Sequence, residues 1–178
     1  MEIEIFFWKE LADNYLEMAK KRLYDKSSPT REGAQYAIFH ALLALLKLLA
    51  PFLPYVTEVI YQALFARLEG NKSVHLAAWP EAKEDLIDAE AERIGEILKA
   101  LATAVRRYKS TANIALGAEI FLLQAEVDDA ETRRQLQQAE ADILSITRAK
   151  NIVWCLEDSS TDEVIELIPG IRITVGEQ

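Results

Sequence analysis

The side chains best suited to grip a phosphate fall into two groups. Arg106, Arg107 and Lys109 crowd a single helical turn and are followed by Ser110-Thr111-Ala112-Asn113, while Lys20, Lys21, Arg22, Lys26 and Arg31 form a second group. Arginine offers a planar fork of N–H donors that matches phosphate, and Tyr24 or Tyr108, one beside each group, could stack on an unpaired base, the usual way RNA loops are read. A plainer reading competes. Both groups lie at predicted helix ends, where cations complement the helix dipole by about 0.3–1 kcal/mol each. Residue types alone leave the two readings open.

Other chemistry is thinly provided. With two histidines and one cysteine, the sequence offers no metal set at ligand spacing, no Ser-His-Asp arrangement and no glycine-rich phosphate loop. His40, inside an apolar run, and His75, in a loop, read as structural histidines; Cys155, between Trp154 and Leu156, reads as a core thiol. No catalytic, cofactor-binding or metal residue is predicted.

A net charge of -9 over 178 residues argues at first against a nucleic-acid partner. The acidity is uneven, however. Residues 1–117 carry 15 basic and 16 acidic side chains, whereas residues 118–178 carry 5 and 13, so an RNA-facing surface belongs on the front portion. A lone cysteine forms no internal disulfide, and the start of the chain has no cleavable signal pattern. The greasiest run, Ala37 to Ala50, has 14 residues and is too short to span a bilayer. A reducing, cytoplasmic setting with no membrane partner is expected.

The elements that must carry these residues follow from periodicity. A first helix is predicted from Ile5 to Tyr24, burying Trp8, Ala12, Tyr15, Ala19 and Leu23. A second, nearly all apolar (Ile38, Leu42, Leu45, Leu46, Leu49), starts after a cap at Ser28-Pro29 or Thr30 and stops at Pro51 and Pro54. The chain continues as a helix through Val56, Ile60, Leu64 and Leu68 to a stop at Gly70. The loop Ser73 to Pro80, with Val74, Leu76 and Trp79, is expected to lie back over the bundle. Ile87, Ala91, Ile94, Leu98, Leu101, Val105 and Tyr108 then alternate steps of four and three, the seam of another bundle helix. After Gly117 the period changes: a strand from Glu119 to Val127, a helix opened by a capping box at Asp128 and Glu131 with Leu136, Ala139, Ile143 and Ile146 buried, and strands at Asn151–Glu157 and Val164–Val175 with a turn at Pro169-Gly170. The fold class expected is mainly α: an antiparallel helical bundle over residues 1–117, then a small acidic α+β module of β-α-β-β order over residues 118–178.

These segments resemble, in order, the anticodon-binding domain of the class I aminoacyl-tRNA synthetases for valine, leucine and isoleucine. Phe6-Phe7-Trp8 with Asp13-Asn14-Tyr15-Leu16-Glu17 is similar to the FFW...D-x-YLE helix of valyl-tRNA synthetases. Leu49 to Ile60 resembles their L-x-PF-x-P-x-x-TE-x-I turn, and Ser73-Val74-His75-Leu76 with Trp79-Pro80 resembles their S-[IV]-H-x-x-x-WP loop. Arg106-Arg107-Tyr108-Lys109-Ser110, then Ala115-Leu116-Gly117-Ala118, looks like the R-x-x-KS...AL-x-A segment of the valine enzymes. The resemblance covers roughly residues 5–120; the tail is only loosely similar to the C-terminal module of archaeal-type relatives. Three departures stand out: the first helices of the family's domain and the bacterial coiled-coil arm are missing, and Thr111-Ala112 stands where many relatives carry an acidic and a basic residue.

The resemblance implies a tRNA-binding portion of a valyl-tRNA synthetase that positions valine tRNA for a catalytic domain, through Arg106, Arg107 and Lys109 first and Lys20, Lys21, Arg22 and Arg31 second. Neither the HIGH nor the KMSKS signature occurs in the sequence. ATP and Mg would therefore be handled by the parent's catalytic domain, with no cofactor here. Two alternatives stay open: a helical interaction or dimerisation module using the Ile87–Tyr108 seam, and the equivalent domain of a leucine or isoleucine enzyme. Apolar faces left bare by truncation would favour self-association.

Overall fold

The computed structural model describes residues 2–155 and 164–176. The chain folds as two compact units, one of residues 1–16 with Arg22–Ile87 and one of residues 17–21 with Asp88 onward.

Helix α1 covers residues 2–24, of which 17–21 group with the second unit, as an α-helical turn Glu2–Ile5, a π-helical stretch Phe6–Tyr15 and an α-helical segment Leu16–Tyr24. The π stretch closes i→i+5 bonds, and Asn14 adds one by donating its side-chain amide to the Lys9 carbonyl at 2.7 Å. The wider turn changes the phase of the helix. Leu11, Met18 and Ala19 are therefore buried, while Trp8, expected on the apolar face, is 57% exposed.

Helix α2 (Arg31–Leu49) starts at Thr30 without the expected side-chain cap; the Ser28 and Thr30 hydroxyls bond each other instead. It stops before Pro51, and Pro54 opens helix α3 (Pro54–Leu64) at the position where its missing N–H has no helical partner to lose. Helix α4 (Ala66–Glu69) follows and ends at Gly70, whose φ of 73° is the left-handed cap the sequence predicts. Leu43, Leu46, Ala50, Tyr61, Phe65 and Val74 form the core, with the rings of Phe39 and Phe65 4.9 Å apart. Of the loop's three apolar residues, only Val74 enters this core; Leu76 and Trp79 stay exposed.

The second unit departs most from expectation. Helix α5 (Ala89–Thr111), capped by Asp88, buries Ile97, Leu98, Leu101, Ala102 and Val105 in the same core as Leu123, Ala125 and Val127 of strand β1 (Ile120–Val127). The seam thus packs on the α+β module, and α5 groups with that module in the second unit, from Asp88 onward. Ile87 and Ala91, assigned to the seam, are exposed; Ile87 lies before the helix, which starts at Ala89, and Ala91 sits in its first turn.

Helices α6 (Ala130–Gln138) and α7 (Glu140–Thr147) replace the single polar helix expected, with Leu136 and Ile143 buried as its pattern requires. The cap is Asp129, one residue later than expected, accepting from the Thr132 amide at 2.7 Å, while Glu131 pairs with Arg134. Strands β2 (Ala149–Cys155), β3 (Val164–Ile168) and β4 (Ile171–Gly176) complete a sheet of order β2-β1-β4-β3. β1 and β2 are parallel and the other pairs antiparallel, as a β-α-β-β order demands. The rest of the expected second strand, Leu156 and Glu157, lies outside the described residues, as does the side chain of Cys155.

Candidate functional site

The last turn of α5 carries the first basic group, and its three members have different fates. Arg107 is exposed and Arg106 half-buried. Lys109 is buried, at 2% exposure, and its ammonium donates to the carbonyls of Ala118 (2.7 Å), Thr147 (3.1 Å) and, at longer range, Leu116 (3.4 Å). Burial, with Arg148 second, pushes its pKa below the ordinary lysine value, and the three acceptors hold the charge in place. The expectation that Lys109 contacts phosphate fails on this geometry. Its donors face inward and are engaged.

Lys109 instead fixes the segment that follows the helix. Ala112 donates to the Tyr108 carbonyl and Ile114 to the Lys109 carbonyl at 2.7 Å, with Asn113 between them in the left-handed region at φ 55°. Ala118 closes a turn onto Ala115 at 2.8 Å. An open groove of about 740 Å³ lies between this loop and α5, lined by Thr103, Arg106, Arg107 and Ser110 on the helix side and by residues 113–116 on the other. Among the described residues, no carboxylate lines it. Between Glu96 and Glu119 the sequence has no Asp or Glu at all, in a chain with 29 acidic residues. Arg148, exposed, sets its guanidinium 3.4 Å from the Gly117 carbonyl and adds a further cation beside the loop. Sequence reading missed it, because nothing local links positions 31 residues apart.

The second basic group is split. Lys20 and Lys21 are exposed, Lys20 paired with Glu17, and they belong to the second unit, where Met18 joins the core and the Glu17 carbonyl accepts from Ser145 at 2.6 Å. Arg22 and Arg31 belong to the first unit and are half-buried; Arg31 Nε donates to the Leu23 carbonyl at 3.0 Å, tying α2 to the end of α1. Of the two stacking candidates, Tyr24 is 82% exposed, whereas Tyr108 packs against the core of the second unit.

Two sequence segments that lie apart prove to be one joint. Glu58 accepts from the Ser73 hydroxyl and the Val74 amide, each at 2.9 Å, and from Gln62 at 2.7 Å. Gln62, then the Val74 amide and Ser73, with His75 adding a weaker charge effect, hold its carboxyl below the usual carboxylate range. Thr57 beside it is buried and donates to the Leu53 carbonyl at 2.8 Å. The Thr57-Glu58 and Ser73-Val74-His75 segments are thus structural, binding the loop to α3. His40 is exposed, its ring 4.2 Å from Tyr36. Among the described residues, no three His, Cys, Asp or Glu side chains are grouped to hold a metal, and no helix is long and apolar enough to cross a membrane.

Comparison with known proteins shows the family. The family described as the anticodon-binding domain of tRNA ligase matches residues 1–127. The chain is similar to the valine–tRNA ligase of Methanopyrus kandleri, 47% identical over 153 residues, covering 84% of this chain and 16% of that protein. It is similar also to the valine–tRNA ligases of Pyrococcus horikoshii, 35% identical over 172 residues (96% and 19%), and Thermococcus kodakarensis, 36% over 176 residues (98% and 20%). The chain spans about a fifth or less of the length of these curated relatives.

Proposed function

The chain belongs to the anticodon-binding domain family of tRNA ligases, and from that membership we propose that it is the portion of a valine–tRNA ligase that grips the anticodon stem and loop of valine tRNA. Its task is positional: binding energy gathered away from the reaction orients the acceptor end at a catalytic domain that also handles ATP and Mg. The setting is cytoplasmic. The observation that carries the reading is the groove flanked by Arg106 and Arg107, whose described lining residues include no carboxylate, in a chain of net charge -9. Lys20 and Lys21 supply further phosphate contacts; Arg22 and Arg31 shape the turn that follows them. The bare apolar side chains Phe52, Leu53, Tyr55, Val56 and Val59 in the first unit suit packing against other parts of a parent synthetase.

The test is binding of valine tRNA to the chain across a salt series, before and after Arg106→Ala with Arg107→Ala. Each phosphate contact contributes roughly 0.7–0.9 to the slope of log affinity against log salt, so the double variant should flatten it by about 1.5. An unchanged slope, or no salt-dependent binding by the parent chain, refutes the proposal.

A further inference from the structure

We propose that the groove between the last turn of α5 and the loop at residues 112–118 seats one unpaired nucleotide of the tRNA anticodon loop, its base on Leu116 and Ile114, its edge on Asn113 and its phosphate on Arg107; this rests on the tRNA-binding reading above. Leu116 is 62% exposed on a loop that is anything but loose. Lys109 spans from inside to the carbonyls of Leu116 and Ala118, and the Ile114 amide returns to Lys109. An apolar side chain is thereby held out to solvent on a fixed backbone, so that covering it costs little ordering entropy.

The rest of the lining has the chemistry of a nucleotide's other parts. Arg107 offers charge and a bidentate fork to a phosphate, and among the described residues no acidic side chain lines the groove. Asn113 carries a donor and an acceptor on one amide, the pair that matches an adenine edge. The groove's volume of about 740 Å³ falls in the range of roughly 300–1,000 Å³ typical of small-ligand sites. A duplex would leave Leu116 bare, since its bases are stacked and unavailable; an unpaired loop base has a free face.

The experiment measures binding of a valine tRNA anticodon stem-loop to the full chain, using the intact RNA and a set in which each loop nucleotide in turn is abasic. Leu116→Ala removes the platform. Asn113→Gly removes the amide while keeping the left-handed backbone that Asn113 adopts. Each should weaken binding about fivefold with an unchanged salt slope, and in the Leu116→Ala protein the penalty for one abasic position should disappear. If Arg107→Ala flattens the salt slope but neither Leu116→Ala nor Asn113→Gly weakens binding, the base site is refuted and the tRNA-binding reading survives. If the Arg107→Ala slope is also unchanged, both fall. Thermal melts of the variants, expected to match the parent because both side chains are exposed, exclude unfolding as the cause of any loss.

Discussion

Replacing Lys109 with methionine should destabilise the second unit and free the loop after α5. Methionine keeps most of the apolar stem and removes the donor, leaving the Ala118 and Thr147 carbonyls without the ammonium that meets them at 2.7 and 3.1 Å. A buried acceptor deprived of its partner costs about 1–3 kcal/mol, so two cost about 2–6. Against that, the variant no longer buries an ammonium, whose desolvation costs several kcal/mol before its hydrogen bonds offset it. The net loss is about 2 kcal/mol, roughly 10 °C in melting temperature for a unit of this size. Lys109→Ala loses two further buried carbons and the sulfur, at about 0.8 kcal/mol per group, and should be worse by about 2 kcal/mol. Urea unfolding followed by Trp154 emission, in a background with Trp8→Phe and Trp79→Phe, isolates the second unit, where Trp154 packs at the core and donates to Glu140 at 3.1 Å. Amide exchange at Ile114 and Ala118 reports the loop. The pH profile is a third readout: with Lys109 held below its ordinary value near 10.5, the unfolded chain binds more protons just under that pH, so stability rises with pH there and the methionine variant loses the rise. Lys109→Met unfolding within about 0.5 kcal/mol of the parent, with both amides exchanging as before, refutes the clamp.

Two further outcomes concern the first unit. Because the Glu58 carboxyl is held below its ordinary value near 4.5, it contributes stability that is present above that pH and lost as pH falls through its folded value; Glu58→Gln should give acid melts without that fall, and an identical acid profile in parent and variant removes Glu58 from the joint. Tyr61 is fully buried and its hydroxyl has no hydrogen-bond partner among the described residues, so Tyr61→Phe, which keeps the ring against Phe65, should raise the urea midpoint by an amount equivalent to about 1 kcal/mol; a lowered midpoint contradicts the unsatisfied hydroxyl.

The amino-acid sequence by itself determined the elements and the family. Pro51, Pro54 and Gly70 stop and start helices through bonds proline cannot make and a left-handed turn that glycine adopts without strain, and the β-α-β-β order after Gly117 follows from a change of period that is a local property. The three-and-four spacing of Leu98, Leu101 and Val105 fixed that α5 buries one face, but an apolar stripe does not say what covers it. Tertiary structure gave that face to the sheet, because Leu123, Ala125 and Ile173 present the complementary surface. The basic cluster divided the same way. Arg107 and Lys109 are two positions apart and alike in charge, yet one meets solvent and the other meets carbonyls that arrive 9 and 38 residues down the chain. Spacing along a helix decides direction; only the packed chain decides whether water or a backbone oxygen waits there.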